Sequence, residues 1–312
     1  MSADSTPGQI PSKAPSHDLR GIILIVLSMG CFIANDGLMK SLGDYLAWHQ
    51  ALALRGVIAA VLGIGLALAI DGRRPAGEII AYLRNIPCLL RLVFEILSTA
   101  LYLTAIFNMP LAGATAINQL VPVLLTIGGA LFLREQVGWR RYAAAGAGFL
   151  GVMLIIQPGT SEFTPFALFA LAGTCTMAAR DLVTRKLPPG IPSTYVAAMT
   201  VIAVAIMGQI VALNSDWPPI EPWMLLHVTL AAVAVSLAFL FGVMAVRLAE
   251  VSLLAPFRFT SLIWGLLIGV LAFGERPGAL TLLGAAIVIG AGLYILYRER
   301  MIGRRRARPS PV

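Results

Sequence analysis

Charge is scarce in this chain: 12% of its 312 residues are Asp, Glu, Lys or Arg, while 58% are hydrophobic. Soluble globular chains run at about a quarter charged. At half that density a chain cannot cover a water-facing surface, so most of its exterior must meet lipid. The mean hydropathy of +0.85 agrees. Histidine and cysteine are equally sparse, with three of each. His17, His49 and His227 lie in a tail or singly in different apolar runs, and Cys31, Cys88 and Cys175 have no metal-like spacing. Neither a zinc site nor a disulfide framework is expected. His-Glu-x-x-His, Gly-x-Ser-x-Gly and the phosphate-binding loop are all missing. The expectation is a protein without catalytic residues, metal or cofactor, and not an ATP-driven pump on its own.

What charge there is has a strong sign. The net charge is +8, but six of the 23 basic residues crowd the last fifteen positions, and most others lie between apolar runs. That is the pattern of membrane-protein loops rather than of a nucleic-acid-binding face, so no nucleic-acid partner is expected. Met1 to Asp18 lacks the basic start and cleavage site of a signal peptide. Leu27-Ser28-Met29-Gly30-Cys31 only loosely resembles a lipoprotein processing site, so the first apolar run is read as a retained span.

A membrane-crossing helix needs about 20 mostly apolar residues. Ten such runs are present, at 19–39, 47–70, 84–107, 111–133, 140–157, 163–185, 194–213, 222–247, 251–273 and 279–298. Short connections rich in Pro and Gly separate them, such as Asn108-Met109-Pro110 and Trp217-Pro218-Pro219. Alternate connections carry nearly all of the Lys and Arg, among them Arg73, Arg74, Arg84, Arg134, Arg140 and the arginine tail. The positive-inside rule then puts both termini in the cytoplasm, in a multi-pass protein of the cytoplasmic (inner) membrane.

The two halves echo one another. Ala34-Asn35-Asp36-Gly37-Leu38-Met39-Lys40 ends the first span, and Ala179-Arg180-Asp181-Leu182-Val183-Thr184-Arg185 ends the sixth. Glu135-x-x-Gly138 after the fourth span is matched by Glu275-x-x-Gly278 after the ninth. Five spans per half force the second copy to enter the membrane upside down, the inverted-repeat plan of secondary transporters. The organisation expected is a cytoplasmic tail at 1–18, a first five-helix repeat at 19–157, an inverted second repeat at 158–298 and a basic cytoplasmic tail at 299–312. The fold class is all-α, with the two repeats around a central cavity.

Three stretches resemble the drug/metabolite transporter superfamily in its ten-helix EamA branch. They are Asn35 to Lys40 with Arg55; Ala112 to Pro122 with Leu133-Arg134-Glu135 and Arg140-Arg141, running to Gly151 and Pro158-Gly159; and Ala255-Pro256-Phe257 through Phe273-Gly274-Glu275-Arg276-Pro277. The resemblance spans roughly residues 19–298 and implies transport by alternating access. It is narrower toward bacterial amino-acid and aromatic-amino-acid exporters, and it leaves open carriage, including uptake, of riboflavin or an S-adenosylmethionine-like compound. One departure is that Pro122 and Pro256 do not fall at equivalent repeat positions, so a symmetric pair of broken helices is not expected.

A charge at the bilayer centre costs about 2.5–3.5 kcal/mol on insertion scales and therefore faces a partner or a wet cavity. Asp36 and Lys40 are four apart and can pair on one helix face. With Asn35 they read either as a structural ion pair or as an outer gate, and Arg180, Asp181 and Arg185 read as the inner counterpart. Glu95, Ser98, Thr99 and Tyr102 form a polar stripe that suits a cavity wall, although Glu95 can instead be satisfied by Arg91. Asn118 and Gln119 precede Pro122, which removes a backbone donor and frees a carbonyl; they can bind a zwitterion or hold neighbouring helices together. Arg258 is the candidate for a substrate carboxylate, with Phe257 and Trp264 beside it for an apolar side chain, or it snorkels from the inner end of its span toward the interface. Arg55 reads either as a buried partner for an acid or as an interface anchor, with a structural role favoured. Stripes such as Ala144-x-x-x-Gly148, Ala147-x-x-x-Gly151 and Ala286-x-x-x-Gly290 can pack the halves or support a homodimer. The function expected is a secondary transporter of small metabolites, exporting amino acids, aromatic ones included.

Overall fold

A computed structural model describes residues 15–132, 139–158, 160, 163–184, 186–188, 190, 192–248 and 254–306. Every regular element among them is helical. Lipid offers no partner for a backbone N–H or C=O, so an apolar chain must satisfy these groups within its own helices. The elements are α1 (Pro15–Lys40), α2 (Trp48–Asp71), α3 (Ala76–Leu83), α4 (Ile86–Asn108), α5 (Leu111–Asn118), α6 (Val121–Phe132), α7 (Trp139–Ile156), α8 (Phe166–Thr184), α9 (Ser193–Ala212) and α10 (Pro222–Leu248). A 3₁₀ turn over Ala255–Phe259 leads into α11 (Thr260–Phe273), and α12 (Ala279–Arg306) ends the set.

Seven spans are long and apolar enough to cross a membrane, one of them running through α5 into α6. Three shorter apolar helices, Ala143–Ile156, Phe257–Phe273 and Ala279–Ile295, bring the described set to ten. These match the runs read from sequence. The fourth crossing is interrupted. Gln119 N–H donates to Ala116 O and Leu120 N–H to Ile117 O, so the helix tightens to i→i+3 bonds before Val121 and Pro122 restart it. Proline is tolerated there because a first-turn N–H has no intrahelical acceptor to lose. The ninth crossing is instead irregular at its start, in the 3₁₀ turn. The two interruptions sit at different depths.

Helix pairing shows the pseudo-twofold plan. The main contacts are α1 with α10, α4 with α8, α2 with α9 and α7 with α12. Exchanging the halves turns the first pair into the second and maps each of the others onto itself. Small residues allow these contacts. A Cβ on Gly56 of α2 would lie 2.8 Å from Ala205 Cα in α9, and one on Gly151 of α7 would lie 2.8 Å from Gly284 O in α12. Of the small-residue stripes read from sequence, Gly148 and Gly151 thus face the other half. Gly290 has nothing beside it among the described residues.

Candidate functional site

A cavity of about 760 Å³ lies between the halves, walled by α1, α2, α4, α8, α9 and α10, with Asn118 and Arg258 added from the fourth and ninth crossings. Its lining reaches the helix ends at Thr184 and Arg258, on the face where α1 begins and α12 ends. Toward the opposite face it stops at Asp36 and Arg55. Beyond them Met39, Leu42, Leu52, Ile106 and Leu111 are fully buried. The cavity is open to the terminal face and closed to the other.

At the closed end, Arg55 Nη1 donates to Asn35 Oδ1 at 2.8 Å, and Asn35 Nδ2 donates to Asp36 Oδ1 at 2.9 Å. Asn35 therefore bridges an acid and a base that do not themselves come within ion-pair distance. The Tyr102 hydroxyl lies beside Asp36. Toward the mouth, Arg180 is clamped by Glu95 (2.9 Å) from α4 and by Asp181 (2.8 Å) from its own helix. Arg91 turns away to Thr200 of α9. Three carboxylates and three guanidinium groups line the cavity, so its formal charge balances. Between the two polar ends the lining mixes the hydroxyl residues Ser98, Thr99 and Thr200 with apolar side chains, among them Phe32 and Phe239, edge to face with ring centroids 5.2 Å apart.

Beyond the closed end, a second polar cluster joins the halves. Lys40 Nζ lies 3.3 Å from Glu275 Oε1 and donates to Met109 O at 2.5 Å. Glu275 also accepts from the backbone of Leu111 (2.7 Å) and Ala112 (3.1 Å), capping the start of α5. A carboxylate there satisfies orphan N–H groups and meets the positive end of the helix dipole. Local sequence aims it. Gly274 takes the left-handed conformation that ends α11, and Glu275 N–H then returns to Gly269 O at 2.9 Å. A Cβ on Gly269 would lie 2.5 Å from Glu275 Oε2, so glycine leaves room for the carboxylate.

The predicted set divides accordingly. Glu95, Ser98, Thr99, Tyr102, Asn118 and Arg258 line the cavity, as do Asp36, Arg180 and Asp181 from the gating set. Gln119 does not; its amide donates to Ser261 Oγ at 2.6 Å and ties the fourth crossing to the ninth. Phe257 packs on Ile25, Ala245 and Leu254. Trp264 donates to Val26 O and fills the space over Gly30, inside the α1–α11 contact. The expected Asp36–Lys40 and Arg91–Glu95 pairs are replaced by Lys40–Glu275 and Arg180–Glu95. In each case the partner comes from the other half: the Glu275 carboxylate for Lys40 and the Arg180 guanidinium for Glu95. Arg185 lies outside the described residues. Sequence reasoning missed Arg55 as a cavity residue, although an arginine within an apolar span was the available signal. Nothing in the sequence distinguished Phe32 and Phe239 from other apolar residues.

A family model described as the EamA-like transporter family matches residues 19–157 and 164–298. A riboflavin transporter of Rhizobium johnstonii is 30% identical over 71% of this chain and 72% of its own length. One from Vibrio cholerae is 30% identical over 70% and 73%. An S-adenosylmethionine uptake transporter of Rickettsia felis is 25% identical over 63% of this chain and 67% of its own. A solved crystal structure superposes on 93% of this chain and all of its own, with a TM-score of 0.62 and 21% identity, a likeness of fold.

Proposed function

This chain belongs to the EamA-like transporter family, and from that premise we propose that it is a secondary carrier that moves a heterocyclic metabolite across the cytoplasmic membrane by alternating access. The observation that carries this reading is a polar cavity open to one face and sealed from the other by a cluster that joins the two halves. Pockets of about 300–1,000 Å³ hold ligands of drug-like size. The cavity of about 760 Å³ therefore suits a flavin- or nucleoside-sized cargo, the size named for its relatives. Arg258, exposed at the mouth and without an ion pair among the described residues, supports first contact with an anionic group of the cargo. Lys40 and Glu275 act as the outer gate, which must part for the other face to open. The excess of Lys and Arg in alternate connections supports cytoplasmic termini.

A second reading is export of amino acids, aromatic ones included. The balanced cavity charge and the Phe32–Phe239 pair favour it. Counterflow in proteoliposomes separates the two. Vesicles preloaded with riboflavin, S-adenosylmethionine or tryptophan are tested for accelerated, saturable entry of the same labelled compound. Acceleration with either of the first two supports the heterocyclic cargo, and with tryptophan the second reading. Entry that rises linearly with concentration for all three would rule out a carrier of these compounds.

A further inference from the structure

The charged groups that line the cavity are unequally satisfied. Near the mouth, Glu95 and Asp181 share Arg180. At the closed end, Arg55 is 9% exposed and spends one Nη on Asn35, while its Nε has no hydrogen-bond partner. Leaving a buried donor unpaired costs about 1–3 kcal/mol, more for a charged group. Asp36 beside it accepts from the Asn35 amide and has no cation within ion-pair distance among the described residues. Asn35 bridges the guanidinium and the carboxylate, which stay beyond ion-pair distance of each other.

We propose that Arg55 and Asp36 form a zwitterion clamp at the closed end of the cavity, recognising the α-amino-carboxylate group of the cargo. The substrate carboxylate takes the guanidinium edge not used by Asn35, where paired N–H groups match two carboxylate oxygens. The substrate ammonium takes Asp36. An inorganic cation would satisfy Asp36 and leave Arg55 without a partner, and an inorganic anion would do the reverse. A group that bears both charges answers both. One turn toward the mouth on α1, Phe32 meets Phe239, so the rest of the cargo, bound below its amino-acid end, has a flat ring face to lie against.

This inference rests on the carrier reading and narrows its cargo to molecules with an amino-acid end. The test is ligand-induced thermal stabilisation of the purified full-length chain. Tryptophan and S-adenosylmethionine are the zwitterionic probes, tryptamine and decarboxylated S-adenosylmethionine their carboxyl-free analogues, and riboflavin the probe with neither charge. Stabilisation is expected from at least one zwitterion, with a half-effect concentration at least ~10-fold lower than its carboxyl-free analogue, the loss of one charged pair. Arg55→Lys and Asp36→Asn are expected to raise that concentration by a similar factor. The clamp is overturned if the analogue binds as well as the zwitterion, if riboflavin alone stabilises, or if no zwitterion does. If the variants do not fold, the analogue series on the native chain decides by itself. Riboflavin counterflow without zwitterion binding would leave the carrier standing and remove the clamp.

Discussion

At the residue scale, several polar side chains of this protein find their partners across the two halves. Lys40 and Glu275 are the clearest case, with side chains 16% and 10% exposed. Breaking a buried pair leaves an uncompensated charge, whereas removing both partners is far less costly. Lys40→Met and Glu275→Gln should therefore each lower the thermal midpoint of the purified protein. The double substitution should lose less than the two losses combined, with a coupling of about 1–3 kcal/mol. Simple additivity of the three midpoints would show that the two groups do not act together. Glu275→Gln also gives up one of the two oxygens that cap α5, so it is expected to be the more damaging single change.

At the element scale, close helix crossings set the architecture. The α7–α12 contact brings Gly151 against Gly284, Ile287 and Val288 with no room for a side chain. Adding bulk to a packed contact commonly costs about 1–3 kcal/mol. Gly151→Leu should lower the thermal midpoint clearly, while Gly290→Leu, where nothing lies beside the glycine, should change it little. Equal effects at the two positions would mean that the crossing is not as tight as described. A fall in oligomer mass with Gly290→Leu, and not with Gly151→Leu, would instead assign the outer stripe to a homodimer. The terminal-face ends of α2 and α9 are tied differently, by hydrogen bonds from Tyr195 to Gly72 O at 2.6 Å and from Thr194 to Asp71. Gly72 has a positive φ of 69°, which a side chain would resist.

At the scale of the whole molecule, the proposed alternating access requires two states, and the structure corresponds to the one open at the terminal face. With the native cysteines replaced, Thr99→Cys and Met177→Cys on the cavity wall should react with a membrane-impermeant maleimide from the terminal face. Leu42→Cys, fully buried beyond the closed end, should stay unreactive in this state. A transported solute should raise Leu42→Cys labelling from the opposite face and slow labelling of the cavity positions. Equal reaction of the cavity positions from both faces, with or without solute, would describe a pore instead.

The sequence by itself determined the membrane class, the ten crossings and the duplication, because each is a matter of one-dimensional pattern. Run length, charge between runs and recurrence of a motif survive without knowledge of any contact. It also placed Glu95, Ser98, Thr99 and Tyr102 together, since helical periodicity alone puts them on one face. Tertiary structure decided which charges meet. Pairing four residues apart is a weak surface preference of about 0.2–0.5 kcal/mol, and it gave way once α5, α8 and α11 brought better-placed partners to Lys40 and Glu95. Only the packing of the halves could turn Arg55 from an apparent anchor into a cavity residue, and take Gln119 and Trp264 out of the cavity into helix contacts. A side chain's role here depends on the helix that it faces, and facing is fixed by three-dimensional packing.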